Sequence, residues 1–394
     1  RDRRVVKDEM VYLNLGISVG KGTIVEEILD KKPKANKLTA IMPDADGRIW
    51  FTSKFGVVGV IDSLGPKTED GCPMIHSTAI QLFAVEDKLR QLFSPLPEGA
   101  EEFFEKARKA QAEQDIDAFP EIRAEFRHLF LGKSDFAEQI QNSFSVGPDG
   151  VYIVSNVGLY KLRFNAETNK IELDPKWEET YFQGKLFYEN DHEIKPGHLN
   201  DGSGTTPTLI GDRFVAIVDN GAESVHLNVF RQDDGSLVSK LPLFEPGKGA
   251  VENSVVAYKD HLIVANTYGY FDPFKENDTA GGIMRFDYDH DKGTYVEREG
   301  WPAAGHIDAK TATPKLSTPR GLIYVYQREG EPTNGHNDWV LTAIDFRTGW
   351  RVFKIKGYFN KGEFDDSVSR IVERAALGKG NYDRKVFNNI WGTF

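Results

Sequence analysis

A strand–turn–strand pattern recurs along this chain: a small polar residue, an apolar strand, a Gly/Asp turn and a second apolar strand. The clearest copy is Asn142-Ser-Phe-Ser-Val-Gly-Pro-Asp-Gly150 followed by Val151-Tyr-Ile-Val-Ser155. Six copies begin near Thr39, Asn142, Thr205, Asn253, Thr313 and Asn388. Self-similarity at long intervals around such a core predicts an all-β fold, a β-propeller of about six blades. A seventh would follow if residues 1–30 or 70–85 formed another. The chain of 394 residues is then read as one domain, 1–394, a length that closed all-β folds absorb.

Each unit is bounded by turn chemistry. Leu38 to Met42 and Arg48 to Thr52 flank Pro43-Asp-Ala-Asp-Gly47, where Asp-Gly supplies the positive φ of a tight hairpin. Later units close at Asn165 to Asn169, Asp233-Asp-Gly235, Asp289 to Gly293 and Arg347-Thr-Gly349. The last copy, Asn388 to Phe394, supplies one strand, and Met10 to Leu29 are expected to add the others, which removes an exposed sheet edge. Residues 80–133 break the pattern. Leu82, Val85, Leu89, Leu92 and Phe93 keep helical spacing, as do Phe119, Ile122, Phe126, Leu129 and Phe130, with charged Glu98 to Asp117 between them. A helical insertion between blades one and two is expected, packed on a rim, capping the funnel mouth or joining two copies of the chain as a homo-oligomer. A shorter helix is predicted over Ser367 to Leu377.

Composition narrows the partners. The net charge of −11 argues against nucleic acid, whose phosphates need clustered Lys and Arg, and is compatible with a cation. A single cysteine, Cys72, leaves no internal disulfide and no cysteine-based zinc site. No apolar run approaches the ~20 residues that span a bilayer. Because the chain starts at Arg1, a removed leader and a periplasmic or secreted location are expected, with the cytoplasm as the alternative.

In a propeller, residues just before each inner strand converge on the axis. Here they are Thr39, Asn142, Thr205, Asn253, Thr313 and Asn388, with Glu252, Lys315 and Asn389 beside them. Amides and a carboxylate from several blades suit a hard cation, since calcium takes six to eight oxygens. The other reading is that Asn and Thr cap strand ends by bonding nearby backbone.

The segment Asn142 to Gly150 resembles the repeated Asn-Gly-apolar-Ala-apolar-Ser-Pro-Asp-Gly element of the gluconolactonase, paraoxonase and strictosidine-synthase-like propellers. Leu38 to Thr52 is similar to their Gly-Arg-apolar-Trp-apolar strand. Gly202 to Leu209, Pro314 to Ser317 and Leu341 to Gly349 are similar to uncharacterised bacterial propellers, which brings no function. The first resemblance implies an axial calcium ion held through Glu, Asn and Asp, and hydrolysis of lactones or esters. By motif position it makes Asn142 and Asn253 metal ligands, with Glu252, Asn388 and Asn389 matching less strictly. The family's aspartate ligand and base falls near Thr39, which cannot do that work.

Proton transfer then falls to other groups. His198 and His306 each lie seven residues before a first strand, at Thr205 and Thr313, where an imidazole acts near neutral pH or simply faces solvent. Tyr268, Tyr270 and Phe271 could wall a small-molecule substrate pocket or pack their own loop, and Arg328 could hold a carboxylate. Two functions remain: a small-molecule enzyme, a metal-dependent hydrolase or a lyase or isomerase on the same face, and a propeller that binds without chemistry.

Overall fold

The computed structural model describes residues 38–54, 56–69, 71–79, 93–113, 140–155, 158–177, 203–221, 223–268, 280–301, 313–333 and 336–356, with isolated positions between 86 and 129. Among them, twenty strands form five four-stranded antiparallel sheets, each paired in sequence order. Sheet one is β1 (Leu38–Pro43), β2 (Ile49–Ser53), β3 (Val57–Lys67) and β4 (Pro73–Ala79). Sheet two is β5 (Ser145–Val146), β6 (Val151–Val154), β7 (Leu159–Asn165) and β8 (Lys170–Leu173). Sheet three is β9 (Thr208–Ile210), β10 (Phe214–Val218), β11 (Val225–Arg231) and β12 (Leu237–Leu243). Sheet four is β13 (Val256–Tyr258), β14 (His261–Ala265), β15 (Ile283–Asp289) and β16 (Thr294–Glu297). Sheet five is β17 (Lys315–Ser317), β18 (Leu322–Thr333), β19 (His336–Asp345) and β20 (Arg351–Lys356).

Each sheet is the meander of a propeller blade, and the fold is of the β-propeller class. Residues 73–79, weighed above as part of a seventh blade, complete the first one. The predicted sixth blade, Asn388 to Phe394 with Met10 to Leu29, and the helix over Ser367 to Leu377 lie outside the described residues.

The blades form because their turns leave few alternatives. At the end of the third strand, the N–H of Gly235, Gly293 or Gly349 donates to the carbonyl of Arg231, Asp289 or Asp345, four residues back. These glycines have φ of 75°, 68° and 76°, and Asn169 takes the same place in blade two at 55°. The Asp345 side chain caps its turn by accepting from the Thr348 hydroxyl and N–H, which holds its carboxyl below the usual range.

The chain clusters into two compact units. Sheets one and two and most of sheet three belong to the first; sheets four and five belong to the second. In the first unit, Trp50, Val58 and Val60 of blade one pack with Phe144, Val151, Ile153, Tyr160 and Leu162 of blade two. The other face of blade two, through Tyr152 and Val154, meets Val215, Ile217 and Phe230 of blade three, with Trp177 between. In the second unit, Ile263, Ala265 and Ile283 meet Ile323, Val325 and Ile344, again with a tryptophan, Trp301.

A polar clasp joins neighbouring blades in both units. Lys161 on β7 and Trp177 after β8 both donate to the Gln232 carbonyl, at 2.7 and 3.0 Å. Arg285 on β15 and Trp301 after β16 donate to the Phe346 carbonyl, at 2.6 and 3.1 Å. Gln232 and Phe346 each follow the third strand of the next blade, so the two clasps are structural equivalents. The Arg285 guanidinium also lies 4.2 Å above the Phe346 ring.

Within 80–133, helix α1 spans Ala100–Glu113. It buries Ala100, Phe103, Phe104 and Ala110, while Arg90 bridges Glu86 and Glu101 and covers Phe104 at 4.7 Å. Helix α1 falls within the helical insertion expected over 80–133, in its charged middle part, where alanines carry half of the apolar stripe.

The Lys161 ammonium, 1% exposed, is neutralised by Asp174 at 2.9 Å and Asp149 at 2.7 Å. Burial pushes the Asp174 carboxyl up, but the hydrogen bonds from Lys161 and the Lys176 N–H outweigh it and hold the carboxyl below its ordinary value. Lys161→Met therefore leaves a buried carboxylate without its cation, and a urea titration at neutral pH should show a loss of ~3–5 kcal/mol. A loss under ~1 kcal/mol would mean that the pair is solvated and contributes little. Because the folded-state value of Asp174 is depressed, its contribution is present above the ordinary carboxylate range and lost as pH falls through the folded value. Stability of Asp174→Asn, measured by the same titration at descending pH, should accordingly fall less steeply on the acid side than that of the native chain.

Candidate functional site

In a four-stranded meander, the start of the first strand, the end of the second and the start of the third share one end of the blade, here termed the leading end. Among the described residues, those expected at the axis, Thr39, Asn142, Thr205, Asn253 and Thr313, lie at or just before the start of a first strand and so belong to it. In blade one, Thr39 and Thr52 share a hydrogen bond of 2.9 Å between their hydroxyls. In blade three, buried Thr205 accepts from the Val218 N–H at 3.0 Å and pairs with the Ser203 hydroxyl at 2.9 Å. In the second unit, Thr313 donates to Asn253 Oδ1 at 3.1 Å, which brings two of the expected positions into contact. Of these, Thr205 bonds nearby backbone, as a capping residue does, whereas Thr39 and the Asn253–Thr313 pair bond other side chains.

Asn142 differs. Its Nδ2 is buried and has no hydrogen-bond partner. Glu252 presents its backbone N–H to Thr267 Oγ1 at 3.2 Å. Lys315 opens β17 and is exposed. Tyr268 is half-buried, with its N–H bonded to Asn266 Oδ1 at 3.0 Å. Arg328 lies in β18 opposite Trp339, and its side chain is outside the described residues. His198, His306, Tyr270, Phe271, Asn388 and Asn389 lie outside them altogether. Asn142 belongs to the first unit, and Glu252 and Asn253 to the second. Among the described residues, no three His, Cys, Asp or Glu side chains cluster closely enough to hold a metal ion. Nor is any described helix long and apolar enough to cross a membrane.

The sequence reading missed the other half of the leading end. Each second strand finishes its apolar run on a buried polar residue: Ser53, Ser155, Asp219, Asn266 and Gln327. The signal was present, as the repeated ending of Ile49-Trp-Phe-Thr-Ser53, Val151-Tyr-Ile-Val-Ser155 and His261-Leu-Ile-Val-Ala-Asn266. Ser53 and Ser155 accept from the N–H groups of Val57 and Gly158, at 3.1 and 3.0 Å. Asn266 accepts from the Ala250 N–H and donates to the Lys248 and Gly281 carbonyls. Asp219 accepts from Asn228 Nδ2 at 3.2 Å.

The chain matches no family model and no characterised protein by sequence. Solved structures that it matches are β-propellers. The Dos1 propeller has 9% identity and a TM-score of 0.41, with 83% of this chain and 60% of that one covered. Hsv2p of Kluyveromyces lactis has 7% and 0.36, with 82% and 65% covered. A protein of Bacteroides uniformis, provisionally described as a 6-phosphogluconolactonase, has 11% and 0.37, with 80% and 70% covered. The chain thus spans less than two thirds of the length of Dos1 and Hsv2p. The propeller class itself rests on the five sheets.

Thr205→Val should remove the acceptor of a buried N–H at constant side-chain shape. A loss of ~1–3 kcal/mol in chemical denaturation is expected. An unchanged midpoint would show that Thr205 is not a cap and return it to the set of ligand-facing residues.

Proposed function

We propose that this propeller binds a small molecule at the leading end of its blades, with Asn142 as a polar anchor. The observation that supports this is the buried Asn142 amide without a partner. Such a group costs ~1–3 kcal/mol, and a bound partner offsets that cost. In the catalytic form of the proposal, suggested by the resemblance to the gluconolactonase and paraoxonase propellers, the substrate is a lactone or an ester. A lyase or isomerase on the same face is the alternative.

The calcium ion implied by the resemblance belongs to this form: Asn142, Glu252, Asn253, Asn388 and Asn389 are the residues that would hold it, and it would polarise a substrate oxygen. Asn253 Oδ1 already accepts from Thr313, and the unpaired atom of Asn142 is the donor Nδ2, which suits a substrate oxygen rather than an ion. His198, His306 and Lys315 are the proposed proton carriers, and Tyr268, Tyr270, Phe271 and Arg328 the pocket wall.

A second reading, binding without catalysis, is favoured by a specific observation. Thr39, Thr205 and the Asn253–Thr313 pair spend their polar groups on the protein itself.

Melting curves with added calcium and with chelator separate the two readings. The catalytic form expects calcium to raise the melting temperature of the native chain and to leave Asn142→Ala unchanged, with both folded alike by circular dichroism. It also expects turnover in a panel of simple lactones and esters. A native chain indifferent to calcium and chelator would remove the ion from the proposal. Calcium binding with no turnover would leave the non-catalytic reading.

A further inference from the structure

The repetition of the blades supplies an internal control for the leading end. Where blades one, two and four end their second strands, the buried polar side chain is hydrogen-bonded: Ser53 to Val57, Ser155 to Gly158, Asn266 to Ala250, Lys248 and Gly281. Blade five departs from this. Gln327 is 1% exposed, and its Oε1 has no partner. Thr342, on the adjoining strand β19, is 0% exposed, and its Oγ1 has none either.

The register places these two groups together. Thr342 pairs with Val325, and Gln327 lies two residues beyond Val325, so both side chains share one face of the sheet as diagonal neighbours. That face carries Ile323, Val325 and Ile344, which pack against Ile263, Ala265 and Ile283 of blade four. Two orphaned polar groups therefore continue an apolar interface toward the leading end.

We propose that this face of blade five is a subsite for a neutral hydroxyl-bearing molecule, a sugar or other polyol, seated between blades four and five. The chemistry of the pair selects the ligand. Gln327 Oε1 can only accept, whereas the Thr342 hydroxyl can donate. A hydroxyl group satisfies both, by donating to Gln327 and accepting from Thr342. A carboxylate or phosphate would set its lone pairs against the Gln327 carbonyl. An ammonium would carry a charge into a surface of valine and isoleucine. An apolar ligand would leave both groups unpaired. The subsite needs neither Asn142 nor a cation and so stands apart from the proposal above. Water offers the same hydroxyl chemistry, and the test distinguishes the two sources.

Melting curves of the full chain are recorded with glucose, galactose and glycerol, for the native protein, Thr342→Val, Gln327→Leu and Asn142→Ala. Polyols raise the stability of any protein by exclusion from its surface, without saturation, so the informative response is a saturable one. The expected result is a saturable rise with at least one probe in the native chain and in Asn142→Ala, lost in Thr342→Val and Gln327→Leu. Without probe, Thr342→Val should melt no lower than the native chain, because an unpaired buried hydroxyl is replaced by a methyl group of the same shape. Thr342→Val keeps the test open if Gln327→Leu fails to fold. A Thr342→Val protein that melts lower without probe would overturn the proposal in favour of a structural water. A linear response alike in all four proteins, or no saturable response to any probe, would also overturn it.

Discussion

The constraint on which the rest depends is that a blade has two apolar faces and cannot bury either alone. Blade two shows this most plainly: Val151, Ile153 and Leu162 face blade one, while Tyr152, Val154 and Leu159 face blade three. Apolar packing of this kind is non-directional and would allow sheets to slide on one another. The clasps remove that freedom. A cation and an indole N–H from one blade converge on a single carbonyl of the next, and a carbonyl has two lone pairs with fixed directions. Lys161 can sit in that interior because Asp174 and Asp149 neutralise it, and Arg285 because Asp287 does, at 2.8 Å. Each clasp thus fixes the register between blades that the hydrophobic layer leaves loose.

How much of this was legible follows from the range of the signals. The hairpins are local, so turns rich in Asp, Asn and Gly between short apolar runs located every described blade from the sequence. The fourth strand of blade one was harder, because β3 runs on to Lys67 and its hairpin closes through Thr68 to Cys72, a polar turn far from the apolar part of the strand. Helix α1 lies inside the expected helical insertion, but its buried face was not legible. Phe103 and Phe104 are set among alanines and charges, and only packing decides that Ala100 and Ala110 belong to the buried side. The clasps were not legible at all. Nothing near Lys161 or Arg285 announces that its partner is a backbone carbonyl of the following blade.

The candidate site was half legible. Position in the repeat groups Thr39, Asn142, Thr205 and Asn253, but residue type alone does not say whether an oxygen serves the protein itself or a ligand. Thr205 is spent on Val218, and Asn253 on Thr313. Only the hydrogen-bond inventory separates these from Asn142. The ends of the second strands were passed over because Ser, Asp, Asn and Gln look unrelated as letters, although each fills one structural position.

Because structurally equivalent residues recur, a blade can be compared with its siblings, and a departure has meaning that one isolated residue would not have. A buried serine or asparagine at the end of a second strand is what the architecture needs to stop that strand, as Ser53, Ser155 and Asn266 show. Gln327 occupies the same position, is buried as deeply, and stops nothing: its strand continues to Thr333, and its carbonyl oxygen bonds to no part of the protein. A longer amide in place of a serine adds reach that the strand end does not use. Thr342 beside it shows that the departure is not confined to one side chain, since a valine of equal shape would fill the same space without leaving a hydroxyl unpaired. Where the structural requirement has been relaxed in one blade and polar groups have been kept there against their desolvation cost, the economical physical account is that something outside the chain satisfies them.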